Sequence, residues 1–439
     1  MAEYSGLPFH IEILKAANSY WDSVAMTAAK SGRQLKYNEL YTESYRFATV
    51  MKNLGAQKGD IICVILPNCL EYPVIFLGCA LIGCSISGIS PSVTDYGNYQ
   101  NCLHFEKVIS ETEPNYEIDE GFGITLDDTL ITPFSSGTTG PPKCVELTHR
   151  NYNCATAALR RAVFNELSLM GRRSTLAFLP FYHGSGFWAL CFSLLDGHHS
   201  IVIESFQPSL VFGCIEKYKV DIINVVPAIV SYMCQNKEDF KKFDLSSVTT
   251  VLCGSAPLSR ELSEHFLKLY PHVKNLLQGY GMTEIVILSH ITPLGYSQNS
   301  EDAGSCGKLL PGFQAKAMMF QILDLGSGEE IQKVGEAGEL CLKSDSVMKG
   351  YYGNPEATSD VIDKDGWLHT GDIVYRNRND LYFVVDRIKD LIKVNGLQVS
   401  PSELESVILS FPGVTDAAVV GIYNAISGQV KFTVLLWHL

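Results

Sequence analysis

The sequence predicts an α/β fold: a large N-terminal domain of doubly wound sheets, followed by a small α+β domain. Three observations lead there. Short continuous apolar runs of strand length alternate with helical stretches, the pattern of parallel strands with crossover helices. One such run leads directly into a loop rich in glycine and hydroxyls, Ser135-Ser136-Gly137-Thr138-Thr139-Gly140-Pro141-Pro142-Lys143. Near residue 387 the pattern changes to a basic, polar segment, and a newly capped helix follows it. The expected domains are residues 1–386 and residues 387–439.

In chain order, Asn38 is placed to cap a helix reaching Leu54, with Leu40, Phe47, Val50 and Leu54 on one face and Gly55 at its end. Residues 61–66 form a continuous apolar run, read as a buried strand. Residues 74–89 read as a buried helix and then a strand. The stretch is too short to span a bilayer, and Gly78, Gly83 and Ser85 interrupt it. Residues 129–134 read as the buried strand before the glycine loop. Strands are expected at 175–179, 200–203, 222–226 and 249–253, and helices near 210–218, 228–235 and 259–270. A strand at 381–385 is expected to stop at Asp386-Arg387. In Ser400-Pro401-Ser402-Glu403 a capping box and a first-turn proline start a helix. Leu404, Val407, Ile408 and Phe411 form its stripe, Pro412-Gly413 ends it, and a strand follows over 414–422. No internal repeat or low-complexity linker is visible.

Composition narrows the function. Of 439 residues, 46% are hydrophobic and 18% charged, the balance of a globular chain rather than a disordered one. A net charge of −13 argues against a nucleic-acid or anionic-membrane surface. The 13 cysteines show no paired spacing; they read as reduced thiols, not a zinc site. Residues 1–10 carry no secretory pattern, and Trp437-His438-Leu439 is not the usual peroxisomal tripeptide, so a cytoplasmic location is expected.

The 135–143 loop suits a polyphosphate: glycines let backbone N–H groups approach, and four hydroxyls and Lys143 add donors and a charge. It does not have the Walker spacing. Gln278-Gly279-Tyr280-Gly281-Met282-Thr283-Glu284 offers a ring to stack, a hydroxyl for phosphate and a carboxylate for Mg²⁺. Gly254-Ser255-Ala256-Pro257 is a small-residue turn where a planar ring can meet backbone. Asp372 of Thr370-Gly371-Asp372 offers a carboxylate to two ribose hydroxyls. Asp386-Arg387 and the 389–393 segment place cations at the domain boundary. Each also has a structural reading: Glu284 as a helix cap, Tyr280 as core, Asp372 as a turn residue, His183 as a satisfied structural histidine, and the cations as a solvated face.

In this order the motifs resemble the adenylate-forming superfamily of acyl-CoA synthetases and luciferases, and most nearly 4-coumarate–CoA ligases, over nearly the whole chain. The resemblance implies ATP-dependent ligation of a carboxylic acid to coenzyme A through an acyl-adenylate, with Mg²⁺; luciferase-like oxygenation stays within the same family. It implies that Ser135, Ser136, Gly137, Thr138, Thr139, Gly140 and Lys143 hold the β- and γ-phosphates. Thr283 would contact the α-phosphate and Glu284 the magnesium. Gly254, Ser255, Ala256, Gly279 and Tyr280 would line the adenine and acyl pocket. Asp372 and Arg387 would hold the ribose, and His183 would close over the substrate carboxylate. Lys389 and Gln398 would lie near AMP, Lys393 would serve thioester formation, and Asp386 would be the hinge.

The sequence departs from that family at three places. Cys144 stands where glycine is usual. The passage from Pro91 to Pro133, with a shortened segment near 92–128, is far shorter than usual; the missing part normally carries a strand–helix–strand segment, so an uncovered sheet edge or apolar surface is expected. The small domain is truncated relative to the family. No residue matches the family's late catalytic lysine. Adenylation impaired by that loss is therefore expected, with a nucleotide-binding pseudoenzyme or regulatory isoform as the alternative.

Overall fold

The computed structural model describes residues 6–92, 103–135, 141–168, 171, 173–296, 302, 304–319, 334–394, 397–409, 416–423 and 430–437. The apolar runs become neighbouring strands. A nine-stranded sheet runs, in spatial order, Lys308–Leu309, His290–Ile291, Asn275–Tyr280, Thr250–Cys253, Ile222–Val225, Ser174–Ala177, His199–Val202, Val24–Ala28 and Gln34–Lys36. Its inner pairs are parallel and its ends antiparallel. The helices Pro208–Tyr218 and Pro227–Gln235 return the chain between these strands. Each starts on a proline, whose fixed φ suits the first helical position. Arg260–Leu269 is capped by Ser259, whose Oγ accepts the Leu262 N–H at 3.2 Å.

A second sheet orders Gly350–Tyr351, Lys143–Thr148, Thr129–Ile131, Ser85–Ile89 and Ile61–Ile65, with Phe134–Ser135 also paired to Lys143–Thr148. The helix Glu71–Leu81 before Ser85–Ile89 is apolar on all sides and almost wholly buried, as a helix packed between layers must be. A four-stranded antiparallel sheet follows: Gln314–Met319, Gly338–Lys343, Leu368–Arg376 and Tyr382–Arg387. Beyond it lie the hairpins Ile392–Val394/Leu397–Val399 and Asp416–Tyr423/Val430–Trp437, with the helix Pro401–Leu409 between them. The doubly wound sheets and the small α+β segment expected from the sequence are both present.

Three local expectations are corrected. The early helix is Tyr37–Asn53, and Asn38 lies inside it. The cap is two residues earlier, where the Lys36 N–H donates to Glu39 at 2.7 Å. The strand over 129–134 is two pieces broken at Thr132-Pro133, because proline cannot donate to a ladder; Phe134 is exposed. The strand over 381–385 does not stop at Asp386-Arg387 but carries both, with Arg387 directly opposite Asp372. The passage between Pro91 and Pro133 holds the helix Phe105–Glu111, with Phe105 5.7 Å from the Phe47 ring and Ile109 and Ile118 buried. Ile61–Ile65 ends its sheet among the described residues, and Leu103 and Tyr116 remain exposed.

Burial leaves three histidines uncharged. His10 is held well below the usual range by burial, with His149 adding to the effect. His149 is lowered to about 4 and His290 to about 3 by burial. The unfolded chain takes up these protons near pH ~6.5, the folded one only at lower pH. Stability is therefore complete above pH ~6.5 and declines as pH falls from there toward the folded values. Between pH 7 and 5.5 each histidine is expected to cost about 1 kcal/mol. A melting temperature that stays flat across that interval would contradict this.

Candidate functional site

One cleft of about 610 Å³ gathers most of the predicted residues that the structure describes. Ser135, Lys143, His183, Gly254, Ser255, Gly279, Thr283, Glu284, Arg387 and Lys389 line it; Ala256, Tyr280 and Asp372 are not among the lining residues. The predicted loop residues Ser136, Gly137, Thr138, Thr139 and Gly140 lie outside the described residues, but the two ends of the loop are fixed. Ser135 and Lys143 are direct partners in an antiparallel pair. Ser135 Oγ is buried with no hydrogen-bond partner among the described residues, a polar atom at the cleft wall suited to a polar ligand. The neighbouring Cys144 turns its thiol toward the Thr132 carbonyl oxygen at 3.6 Å, back into the sheet.

The opposite wall is a strained turn. Gly279 and Tyr280 end a strand, and Thr283–Ile285 form one turn of 3₁₀ helix. Gly281 has no room for a side chain: a Cβ there would sit 1.6 Å from the Ile287 carbonyl oxygen. Val286 closes the turn at φ 71° and ψ −58°, a conformation costly for a β-branched residue. Ser255, across the cleft, is also held at φ 71°. Strain of this kind persists where surrounding packing enforces it, and it concentrates at ligand sites.

Glu284 is buried and accepts a hydrogen bond from the Tyr351 hydroxyl at 2.9 Å. Tyr351 arrives through a short strand pairing with Val145, which also brings its ring 4.8 Å from Lys143 Nζ. Burial, then the Glu284 charge, pushes the Tyr351 phenol well above its usual range, so it remains a donor. Lys143, Tyr351 and Glu284 thus form a compact cation–phenol–carboxylate group. Tyr351 was not foreseen from the sequence. Its Gly-Tyr-Tyr setting carries no chemical spacing signal, and only the cross-strand pairing reveals it.

His183 caps the helix Gly184–Leu195, with Nδ1 3.0 Å from Ser185 Oγ and 3.4 Å from Ser185 N. Burial lowers its pKa. Asn68, also missed from the sequence, fixes the loop before it. Its amide donates to the Ala177 and Leu179 carbonyls and accepts from Phe181 N–H at 2.8 Å.

Asp372 is nearly buried. It accepts from the Tyr280 hydroxyl at 2.6 Å and from Arg387 Nε at 3.1 Å. Burial pushes its carboxyl above the usual range, and the Tyr280 and Arg387 hydrogen bonds oppose that. Tyr280 is therefore turned onto the carboxylate in this arrangement. Asp386 accepts from the Arg387 N–H at 2.7 Å and from the Ser400 hydroxyl, joining the strand to the next helix. Lys393 and Gln398 face each other in register across a hairpin, and their side chains lie outside the described residues.

Comparison with known proteins agrees with this architecture. The AMP-binding enzyme family matches residues 13–98 and 98–352, and the chain belongs to that family. It is 32% identical over 465 residues to 4-coumarate–CoA ligase 1 of Petroselinum crispum, covering 97% of this chain and 84% of that one. It is 31% identical over 464 residues to luciferin 4-monooxygenase of Photinus pyralis, covering 94% and 82%. Among solved structures, the O-succinylbenzoate–CoA synthetase of Bacillus subtilis, in complex with its acyl-adenylate intermediate, superposes with a TM-score of 0.81 at 24% identity. That match covers 98% of this chain and 88% of the other. The chain is thus an enzyme of the adenylate-forming acid–CoA ligase family, whose chemistry uses ATP, a carboxylic acid and coenzyme A. Among the described residues no helix is long and apolar enough to cross a membrane.

Proposed function

We propose that the chain ligates a small carboxylic acid, acyl or aryl, to coenzyme A in two half-reactions in this cleft. The carboxylate oxygen attacks the α-phosphorus of ATP, the bond to the bridging oxygen breaks, and pyrophosphate leaves. The thiol then attacks the acyl carbon and AMP leaves. A carboxylate alone has no good leaving group; adenylation provides one, and the protein supplies position and charge.

The single observation that carries the reading is the grouping of Lys143, Tyr351 and Glu284 on the same cleft as Arg387 and Lys389. In the proposal, Lys143 and the 135–140 loop take the β- and γ-phosphates, and Thr283 takes the α-phosphate. Asp372, steadied by Tyr280 and Arg387, takes the ribose, while Gly254, Ser255, Ala256 and Gly279 form the adenine and acyl wall. Buried Glu284 is the residue that fits magnesium; the ion would neutralise phosphate charge. Tyr351 keeps that carboxylate oriented. His183 orients the acid. Lys389 and Gln398 sit near AMP, and Lys393 serves the thiol step after rotation about Asp386, the proposed domain boundary.

A regulatory nucleotide binder without full turnover is the alternative reading. A panel of acids with MgATP separates them. Acid-dependent pyrophosphate release, followed by AMP release on adding coenzyme A, is the ligase result. Nucleotide binding without either release is the regulatory one.

A further inference from the structure

Apart from Glu284, the described residues contain one group that brings three different metal-ligand types together: Glu339, Cys341 and His369. Glu339 and Cys341 alternate along the strand Gly338–Lys343, so both project to one face, and His369 is the cross-strand partner of Cys341. Their ligand atoms lie within 4.8 Å of one another. His369 Nδ1 is 3.5 Å from Cys341 Sγ and 3.0 Å from Glu339 Oε2. A tetrahedral zinc ion at ordinary bond lengths would hold a thiolate sulfur and an imidazole nitrogen about 3.6 Å apart.

We infer that Glu339, Cys341 and His369 form a binding site for a borderline-soft divalent ion of the Zn²⁺ type, with its fourth position open to the cleft. The set of one carboxylate, one thiol and one imidazole selects such an ion over Mg²⁺.

The surroundings supply what a metal ligand needs behind it. The other ring nitrogen of His369, Nε2, faces Asp363 Oδ2 at 3.6 Å. Asp363 is itself fixed by the Asp365 and Trp367 N–H groups, each at 2.9 Å. A carboxylate on the far nitrogen sets the tautomer that leaves Nδ1 free to ligate. The far oxygen of Glu339 accepts the Gly371 N–H at 3.2 Å, which leaves Oε2 turned to the histidine. Glu339 and His369 both line the cleft, which provides the entry path and the open position.

Titration of the purified 439-residue protein with Co²⁺ tests this. One equivalent should produce a thiolate-to-cobalt absorption band in the near ultraviolet, and Zn²⁺ should remove it by displacement. Cys341→Ser should abolish the band, and His369→Gln should weaken Co²⁺ binding at least ~10-fold. Asp363→Asn should keep the band and weaken binding by about tenfold. Glu284→Gln should leave the titration unchanged, which separates this site from any magnesium position. Circular dichroism checks that each variant folds; if Cys341→Ser does not, Glu339→Gln should show the same weakening. A wild-type protein with no stoichiometric band, or a band that survives in Cys341→Ser or is equally strong in Glu339→Gln, would show that the three residues are only a hydrogen-bonded cluster beside the cleft.

Discussion

Lys143→Ala is expected to slow acid-dependent pyrophosphate release by roughly a hundred- to a thousand-fold, comparable to losing one preorganised donor at a developing charge. Lys143 ends the 135–143 loop at a fixed register opposite Ser135, and its Nζ is held against the Tyr351 ring, 4.8 Å from the centroid. A cation so placed needs little rearrangement as charge moves onto pyrophosphate, so its effect should fall on the transition state more than on resting affinity. The loss should appear in kcat as well as in kcat/KM. A variant with intact kcat and only a raised KM would contradict the assignment.

Asp372→Ala is expected to weaken AMP binding by about 1.5–3 kcal/mol, the range for charge-assisted hydrogen bonds. The carboxylate is buried and already holds Tyr280 and Arg387, so the substitution also strands both of these partners. Tyr280→Phe should cost less, because it removes one donor and leaves the carboxylate and Arg387 in place. Calorimetry on variants with matched melting curves measures the difference. Unchanged AMP affinity in Asp372→Ala would remove Asp372 from the site.

Much of this was legible in the sequence because burial and chemistry share a local signal. Parallel strands buried on both faces read as apolar runs, and 222–226 and 249–253 emerge within a residue or two of Ile222–Val225 and Thr250–Cys253. The Ser135–Lys143 loop and the Gly279–Glu284 turn announce themselves through glycines and hydroxyls placed side by side. Cross-strand partners carry no such signal. Tyr351 meets Lys143 and Glu284 through an antiparallel pairing, and Asp372 meets Arg387 the same way. Asn68 secures the His183 loop from more than a hundred residues away in sequence. The extension of the strand Tyr382–Arg387 through Arg387 was hidden because Asp386 and Arg387 look like a polar stop. In the fold, the Ser400 hydroxyl and the Arg387 N–H satisfy Asp386.

In the proposed reaction a carboxylate oxygen bonds to the α-phosphorus of ATP in the cleft bounded by Lys143, Glu284 and Arg387. An acid that gives pyrophosphate release, labelled with heavy oxygen in its carboxyl group, tests this most directly. After thioester formation, mass spectrometry should find one carboxylate oxygen in AMP, because the acyl–oxygen bond is the one the thiol breaks. Label in inorganic phosphate together with ADP would instead mean attack at the γ-phosphorus, and AMP free of label would mean that no acyl-adenylate forms. Either result would contradict the account.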